Sequence, residues 1–240
     1  MKSVMLSIFA SIAIASGASA QNLIVNPGFE DGAFVPNGDN TMVLGNGNTT
    51  MTGWTVFGGA LAWISTPNPF NIPAPIGLKF LDLTGYNSAA GVRQTVSTTA
   101  GVGYVMDFDL GSYAQYGNSS SRVTVSSGAN TIGTWTFAAP GAPQANWVRR
   151  RLGFISPDSS ITVAIEVTPG FSTQYVGVDD VQVYEGCLSD FNRDEVVDFF
   201  DYLDFVAAFA EGGLEADFNS DDEVDFFDYL DFVGSLSSGC

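Results

Sequence analysis

The chain contains no histidine, and of its 240 residues only Cys187 and Cys240 are cysteines. These absences exclude His-based triads, ordinary zinc catalysis and, before residue 187, any thiol nucleophile. Basic residues are scarce: 8 Lys and Arg stand against 26 Asp and Glu, for a formal net charge of −18. Phosphate binding relies on Lys and Arg, so nucleic acid is excluded as a ligand class. After the first twenty residues no segment approaches 18 uninterrupted apolar residues, which leaves no candidate membrane span. Residues 1–20 read as a secretory signal. Lys2 supplies the positive charge, Val4 to Ala15 the apolar stretch, and Ala18-Ser19-Ala20 a small-residue cleavage signature before Gln21. The expectation is a protein exported to an extracellular or cell-surface location, where cysteines oxidise.

Residues 21–186 form one domain's worth of chain, rich in Gly, Thr, Ser, Val and Phe and poor in Lys and Glu. Short runs alternate apolar and polar, as in Arg122–Val125, Ile161–Val167 and Val176–Val183, with turn clusters between them. Period-two patterning with one buried face predicts a mostly β fold, two antiparallel sheets packed as a jelly-roll β-sandwich. Trp54 and Trp147 are assigned to its core. Alternation puts Asp107 and Asp109 on a solvated face opposite Met106 and Phe108. Arg149-Arg150-Arg151 reads as a strand whose outer members meet solvent, acidic polysaccharide or the acidic C-terminus.

Residues 187–240 are built from one unit written twice at an offset of 27 residues, with 14 of 17 positions identical between 190–206 and 217–233. Oxygen-bearing side chains recur at loop positions 1, 3, 5, 9 and 12. These are Asp190, Asn192, Asp194, Asp198 and Asp201, then Asp217, Asn219, Asp221, Asp225 and Asp228. A twelve-residue loop of that spacing wraps Ca²⁺ with oxygen ligands, position 7 giving its backbone carbonyl, here Val196 and Glu223. Position 6 ordinarily carries Gly because the chain turns there with positive φ; here it is Glu195 and Asp222, which predicts weakened binding in the first loop. The other reading makes these residues acidic helix caps with no ion.

The segment holds 15 acids against one Arg, so its self-repulsion should make folding depend on the two cations. Each loop runs into a helix apolar nearly all round. Phe199, Phe200, Tyr202 and Phe205, with Phe226, Phe227, Tyr229 and Phe232, are expected to face a partner. The alternative is that this face docks on the chain's own first domain.

The paired loops, the Asp at position 12 and the helix after each resemble the dockerin family, whose EF-hand-like modules plug into cohesin domains. That resemblance implies a cohesin-like partner or surface scaffold for residues 187–240. Phe199-Phe200 and Phe226-Phe227 replace the small hydroxyl residues usual in cellulosomal dockerins, and Gly239-Cys240 matches divergent modules ending in Gly-Cys. Dockerin-like folds bring their termini together, which implies a Cys187–Cys240 disulfide, worth roughly 4 kcal/mol in the chain-entropy model; a rival reading uses Cys240 for attachment. In the first domain, Asn22–Glu30, Gly53-Trp54, Leu81-Asp82-Leu83, Arg93–Val96, Tyr104–Phe108 and Val178–Val181 resemble the choice-of-anchor C family, similar to galactose-binding-like jelly rolls. The resemblance implies a structural calcium shared by Glu30 and Asp180, against the reading in which one caps a turn and the other fills a bulge.

No acid pair in the sandwich stands out as a glycosidase constellation, and no catalytic residue is assigned. Sugars are held by flat aromatic faces beside neutral polar groups, and Trp63, Tyr86, Tyr113, Tyr116 and Trp135 lie in or near Gly/Ser/Asn-rich loops. The expected function is a secreted, non-catalytic protein with a carbohydrate-binding sandwich and a calcium-dependent docking module. Alternatives are a structural surface-matrix protein without sugar binding and a polysaccharide-degrading hydrolase component.

Overall fold

The computed structural model describes residues 21–85, 88–113, 120–138, 146–168 and 175–238. It is mostly β. Eleven strands occur among the described residues: β1 Thr41–Leu44, β2 Thr55–Gly58, β3 Leu61–Ser65, β4 Lys79–Asp82, β5 Ala90–Ser97, β6 Gly103–Ser112, β7 Ser120–Ser127, β8 Asn130–Ala138, β9 Asn146–Ile155, β10 Ser160–Val167 and β11 Gly177–Glu185. They form two antiparallel sheets, ordered β1-β3-β4-β11-β6-β9 and β2-β5-β10-β7-β8.

Period-two sequence accounts for the five-stranded sheet. In β10, Ile161, Val163, Ile165 and Val167 are buried, whereas Thr162, Ala164 and Glu166 meet solvent. The inward rows of both sheets, among them Val92, Val123, Phe108, Leu110, Val181 and Val183, make one apolar core. Gln94 is a polar member of its strand's inward row, and its amide is satisfied by the Val25 backbone, accepting from N–H at 2.7 Å and donating to C=O at 3.0 Å. This pins the N-terminal segment. Asn26, at φ 59°, bonds Asp31 and Thr52, and its own carbonyl accepts from Trp54 Nε1 at 2.9 Å.

The six-stranded sheet departs from simple alternation because its outer face is also covered. Near β3 and β4, Ala62, Ile64 and Phe80 pack with Ile72, Tyr175 and the half-buried Trp147. Toward β6, β9 and β11 the outer face is a charged seam. Asp107, expected to be solvated, is fully buried, facing Arg151 Nε at 3.5 Å and Arg193 Nη2 at 3.3 Å and accepting from the Tyr184 hydroxyl at 2.9 Å. Alternation placed its side chain on the outer face as expected; a later part of the chain, supplying Arg193, lies over it.

The C-terminal segment has its own small core. Helices α1 Phe199–Glu211 and α2 Phe226–Ser238 bring Phe205 and Phe232 together, fully buried and stacked with ring centroids 3.9 Å apart. Phe191 and Phe218, both at loop position 2, pack around that pair at the ring edges. Helix α1 ends where Gly212 turns left-handed at φ 69°, its N–H donating back to Phe209. None of the described helices is long and apolar enough to cross a membrane.

Candidate functional site

The two loops before the helices repeat one hydrogen-bond pattern. Asp190 accepts from the Asp194 and Glu195 amides at 3.1 and 3.0 Å; Asp217 accepts from Asp221 and Asp222 at 3.0 Å each. Asn192 and Asn219 each accept from the residue two ahead at 2.9 Å, and Asp194 and Asp221 do the same at 3.0 Å. Positions 4 and 6 lie in the left-handed region in both copies: Arg193 65°, Glu195 70°, Ser220 62° and Asp222 72°. The φ that Gly would favour at position 6 is therefore imposed on Glu and Asp.

Asp201 and Asp228, at position 12, are fully buried and accept from the position 3 and position 9 amides. Asp198 and Asp225, at position 9, accept from Phe200 and Phe227 at 2.7 Å, and in α1 this reciprocal arrangement is a capping box. The carboxylates thus serve the helix N-termini and the loop amides. Among the described residues no three Asp, Glu, His or Cys side chains are gathered as a metal cage. The donor set, carboxylates with one Asn and the Val196 or Glu223 carbonyl, is all oxygen and suits a hard cation. In the second loop burial lifts Asp217 to about 6, against the amides of Asp222 and Asp221, and the charges of Asp228 and Asp222 raise it further.

The eight aromatics expected at a partner face divide. Phe205 and Phe232 form the module's core and are corrected from that face to the interior. Phe199, Phe200, Phe226 and Phe227 stand 62–65 % exposed, with Tyr202 and Tyr229 half-buried beside them. Phe199 stacks on Tyr202 at 5.8 Å and Phe226 on Tyr229 at 6.0 Å, while a Tyr202–Tyr229 hydrogen bond raises the Tyr202 hydroxyl above its ordinary value. Helical spacing cannot say which of two apolar faces is covered; only the packing of the second copy decides it.

The module's loops touch the sandwich. Arg150, 4 % exposed, lies against the Phe137 ring at 5.6 Å, donates to the Ala138 carbonyl at 2.7 Å and pairs with Asp222 at 2.9 Å. Asp222 also accepts from the Ala138 amide at 2.6 Å. Arg151 donates to the Asp190 carbonyl and Ser220 to the Arg151 carbonyl. Burial pushes the Arg150 guanidinium below its usual value, opposed by Asp222 and Asp217. Of the arginine run, only Arg149 stays wholly within the sandwich contacts, meeting Asp180 at 2.7 Å and Asp109 at 3.4 Å.

Glu30 and Asp180 do not face each other. Glu30 accepts from the Leu78 and Lys79 amides at 2.6 Å and pairs with Lys79 at 3.2 Å. Asp180, at φ 43° in the bulge of β11, is engaged by Arg149 and Gln182. The carboxylate lying with Glu30 against Gly28 is Asp179 instead, because the bulge turns its neighbour away. Asp179 is fully buried and accepts from the Ile76 and Asp180 amides at 3.2 and 2.8 Å. Burial raises it to about 8, those amides opposing and Asp109 and Asp180 adding to the rise.

The expected sugar-facing aromatics are not a platform. Trp63 is fully buried on β3 and its Nε1 donates to the Phe29 carbonyl at 2.9 Å. Trp135 packs partly against the core, Tyr113 packs edge-on to Tyr175, and Tyr86 and Tyr116 lie outside the described residues. A hollow of about 280 Å³ on the open face of the five-stranded sheet is lined by Gly53, Thr55, Arg93, Gln94, Thr95 and Thr162. A larger cleft of about 1040 Å³ opens between the sandwich and the first loop, with Tyr104, Arg151, Tyr184 and Arg193 on its walls. Cys187 is not a free thiol; Cys240 and the signal-like residues 1–20 lie outside the described residues.

The fold is a two-sheet antiparallel, jelly-roll-like sandwich carrying a small helical appendage on the edge where β8 and β9 meet. The chain belongs to the family described as Protein of unknown function (DUF642), whose profile matches residues 22–179 and leaves the duplicated segment outside. Among solved structures it is similar to a carbohydrate-binding module, TmCBM61, in complex with β-1,4-galactotriose, at 19% identity and TM-score 0.44 over 70% of this chain and 100% of that one. It is also similar to Family 16 Carbohydrate Binding Module-2, at 18% identity and TM-score 0.42 over 68% and 100%. A third is the K1 cleaved adhesin domain of Lys-gingipain from Porphyromonas gingivalis W83, at 16% identity and TM-score 0.43 over 61% and 98%. No curated protein matches the chain.

Proposed function

We propose that this is an exported, non-catalytic attachment protein. Its sandwich, of choice-of-anchor C type, contacts polysaccharide, and its C-terminal dockerin-like, EF-hand-like module takes up two Ca²⁺ and plugs into a cohesin-like scaffold. The observation that carries the reading is the matched exposure of Phe199 and Phe226, Phe200 and Phe227 on a module whose own core, Phe205 and Phe232, lies elsewhere. Four large aromatics left in water on a unit of about fifty residues mark an interaction face. The all-oxygen loops supply a reason for calcium, whose charge would offset that of 15 acids. A Cys187–Cys240 clasp is supported by Cys187 not being free. The absence of catalysis is our reading from the burial of Asp107, ion-paired with Arg151 and Arg193, and of Asp179, held by the Ile76 and Asp180 amides, which keeps those acids from any substrate.

Within the sandwich, the hollow at Thr55, Arg93, Thr95 and Thr162 is the surface we assign to polysaccharide. The second reading, a surface-matrix protein that binds no sugar, draws on the burial of Trp63 and the half-burial of Trp135. Calorimetric titration of the full chain with Ca²⁺, followed by surface plasmon resonance against a panel of cohesin domains, tests the module. Two sites are expected, lost together in the Asp190→Ala/Asp217→Ala double variant, with partner binding lost in Phe199→Ser/Phe226→Ser. A wild-type chain that takes up no calcium would sink the reading. Retention on insoluble polysaccharides, abolished by Arg93→Ala, separates the two readings of the sandwich.

A further inference from the structure

The loops do more than precede helices, because the side chains of Arg193 and Ser220 at position 4 and of Asp222 at position 6, which are not calcium ligands, reach the sandwich. Asp222 is the sharpest case. Its backbone belongs to the chelating turn, its N–H donating to Asp217 at 3.0 Å, while its carboxylate leaves the loop to accept from Ala138 and pair with Arg150. Arg150 sits where the two sheets' edge strands, β8 and β9, open to the outside. Its Nε and Nη1 are buried without a hydrogen-bond partner, so Asp222 is the main compensation for its charge. The first loop adds Arg193 to the buried Asp107, and Ser220 at position 4 of the second loop donates to the Arg151 carbonyl.

We propose that Asp222 and Arg150 form an interdomain clasp, so that folding of the second loop around a cation and docking of the module on the β8/β9 edge are one coupled event. The occupant of that edge is this chain's own module, held by charge complementarity between an acidic loop and a buried guanidinium. The coupling rests on the reading of the loops as cation sites. Electrostatics and docking predict opposite signs: removing the Arg150 charge alone would tighten calcium, whereas losing a seat that holds the loop in shape weakens it, and the same factor links calcium to docking in both directions.

The test uses the full chain with Ca²⁺ as probe, comparing wild type, Arg150→Met, Asp222→Gly, which removes the carboxylate and suits φ 72°, and, as a control on β4, separated from β9 by β11 and β6, Lys79→Met. The expected result is calcium affinity at one site weakened about fivefold or more in Arg150→Met. Amide exchange at Ala138 should quicken on the order of tenfold in Arg150→Met and Asp222→Gly, with β10 and Lys79→Met unchanged. Unchanged or tighter calcium in Arg150→Met overturns the coupling. A protected Ala138 in Asp222→Gly, which has no side-chain acceptor, overturns the clasp itself, and that readout stands even for a chain that binds no calcium. A wild type without calcium uptake removes the cation reading and the coupling with it.

Discussion

Truncating Phe205 separates the core of the module from its outward face. Phe205 is fully buried and stacked on Phe232 at 3.9 Å, with Phe191, Phe209 and Phe218 also against it. Phe→Ala at such a site costs about 3–5 kcal/mol, the cavity included, and the lost aromatic pairing lies within that range. At 0.05–0.15 kcal/mol per residue, a unit of about fifty residues has roughly 3–8 kcal/mol in all. Phe205→Ala should therefore leave the module largely unfolded at 37 °C, whereas Phe199→Ala with Phe226→Ala, at exposed positions, should shift stability by no more than about 0.5 kcal/mol each. Amide exchange across 199–211 and 226–238 in the full chain reads this directly, with β10 as the internal reference. Protection kept in Phe205→Ala, or lost in the Phe199/Phe226 variant, would refute the division of the helices into covered and presented faces.

Burial raises Asp82 to about 6, against hydrogen bonds from the Thr84 hydroxyl and amide at 2.7 and 2.9 Å. The protonated form is thus favoured by the fold, so its contribution is fully present below the ordinary value of 3.8 and is lost as pH rises through 6. Asp82→Asn, whose Oδ1 can still accept from Thr84, should match wild type near pH 4 and exceed it by at most about 3 kcal/mol above pH 6 in urea titrations; equal stability at both pH values would contradict this. Trp63→Phe loses the bond to Phe29 and leaves a gap, costing about 1–3 kcal/mol in thermal unfolding without affecting polysaccharide retention. A retention defect at unchanged stability would return Trp63 to the surface. Glu30→Gln gives up the Lys79 ion pair and should cost about 1 kcal/mol, less in high salt; no salt dependence in the difference from wild type would exclude the ion pair as its cause.

The five-stranded sheet and the duplicated module were legible because each is governed by a short-range period. Alternation in Ile161–Val167 and the 27-residue offset of the loops need no tertiary knowledge. What escaped depends on a second layer. Trp63 belongs to Leu61–Ser65, a strand buried on both faces, where the sequence is continuously apolar and alternation cannot tell inside from outside. Asp107 does alternate, and its outer face is covered by Arg151 and Tyr184 of the neighbouring strands together with Arg193, 86 residues later in the chain. Asp180 sits in a bulge, and one extra residue turned the side chain expected beside Glu30 toward Arg149, leaving Asp179 in its place. The interdomain contact was legible as charge: the acidic C-terminus was one of the surroundings the sequence offered for Arg149-Arg150-Arg151, and Arg150 and Arg151 do meet its loops.

The position of the module follows from two deficits that cancel. Its 54 residues contain a single base, Arg193, so its acids must find cations elsewhere. The sandwich, for its part, ends in β8 and β9, edge strands with unpaired backbone groups and a buried arginine between them. Seating the loops on that edge gives Asp222 its cation, Arg150 its counter-charge, and the Ala138 amide an acceptor it would otherwise take from water, while a charged cover blocks strand addition there. The loops can make these contacts only with the helices behind them, which turns Phe199, Phe200, Phe226 and Phe227 away from the sandwich. The exposure of the aromatic pairs is thus a consequence of where the acids are satisfied.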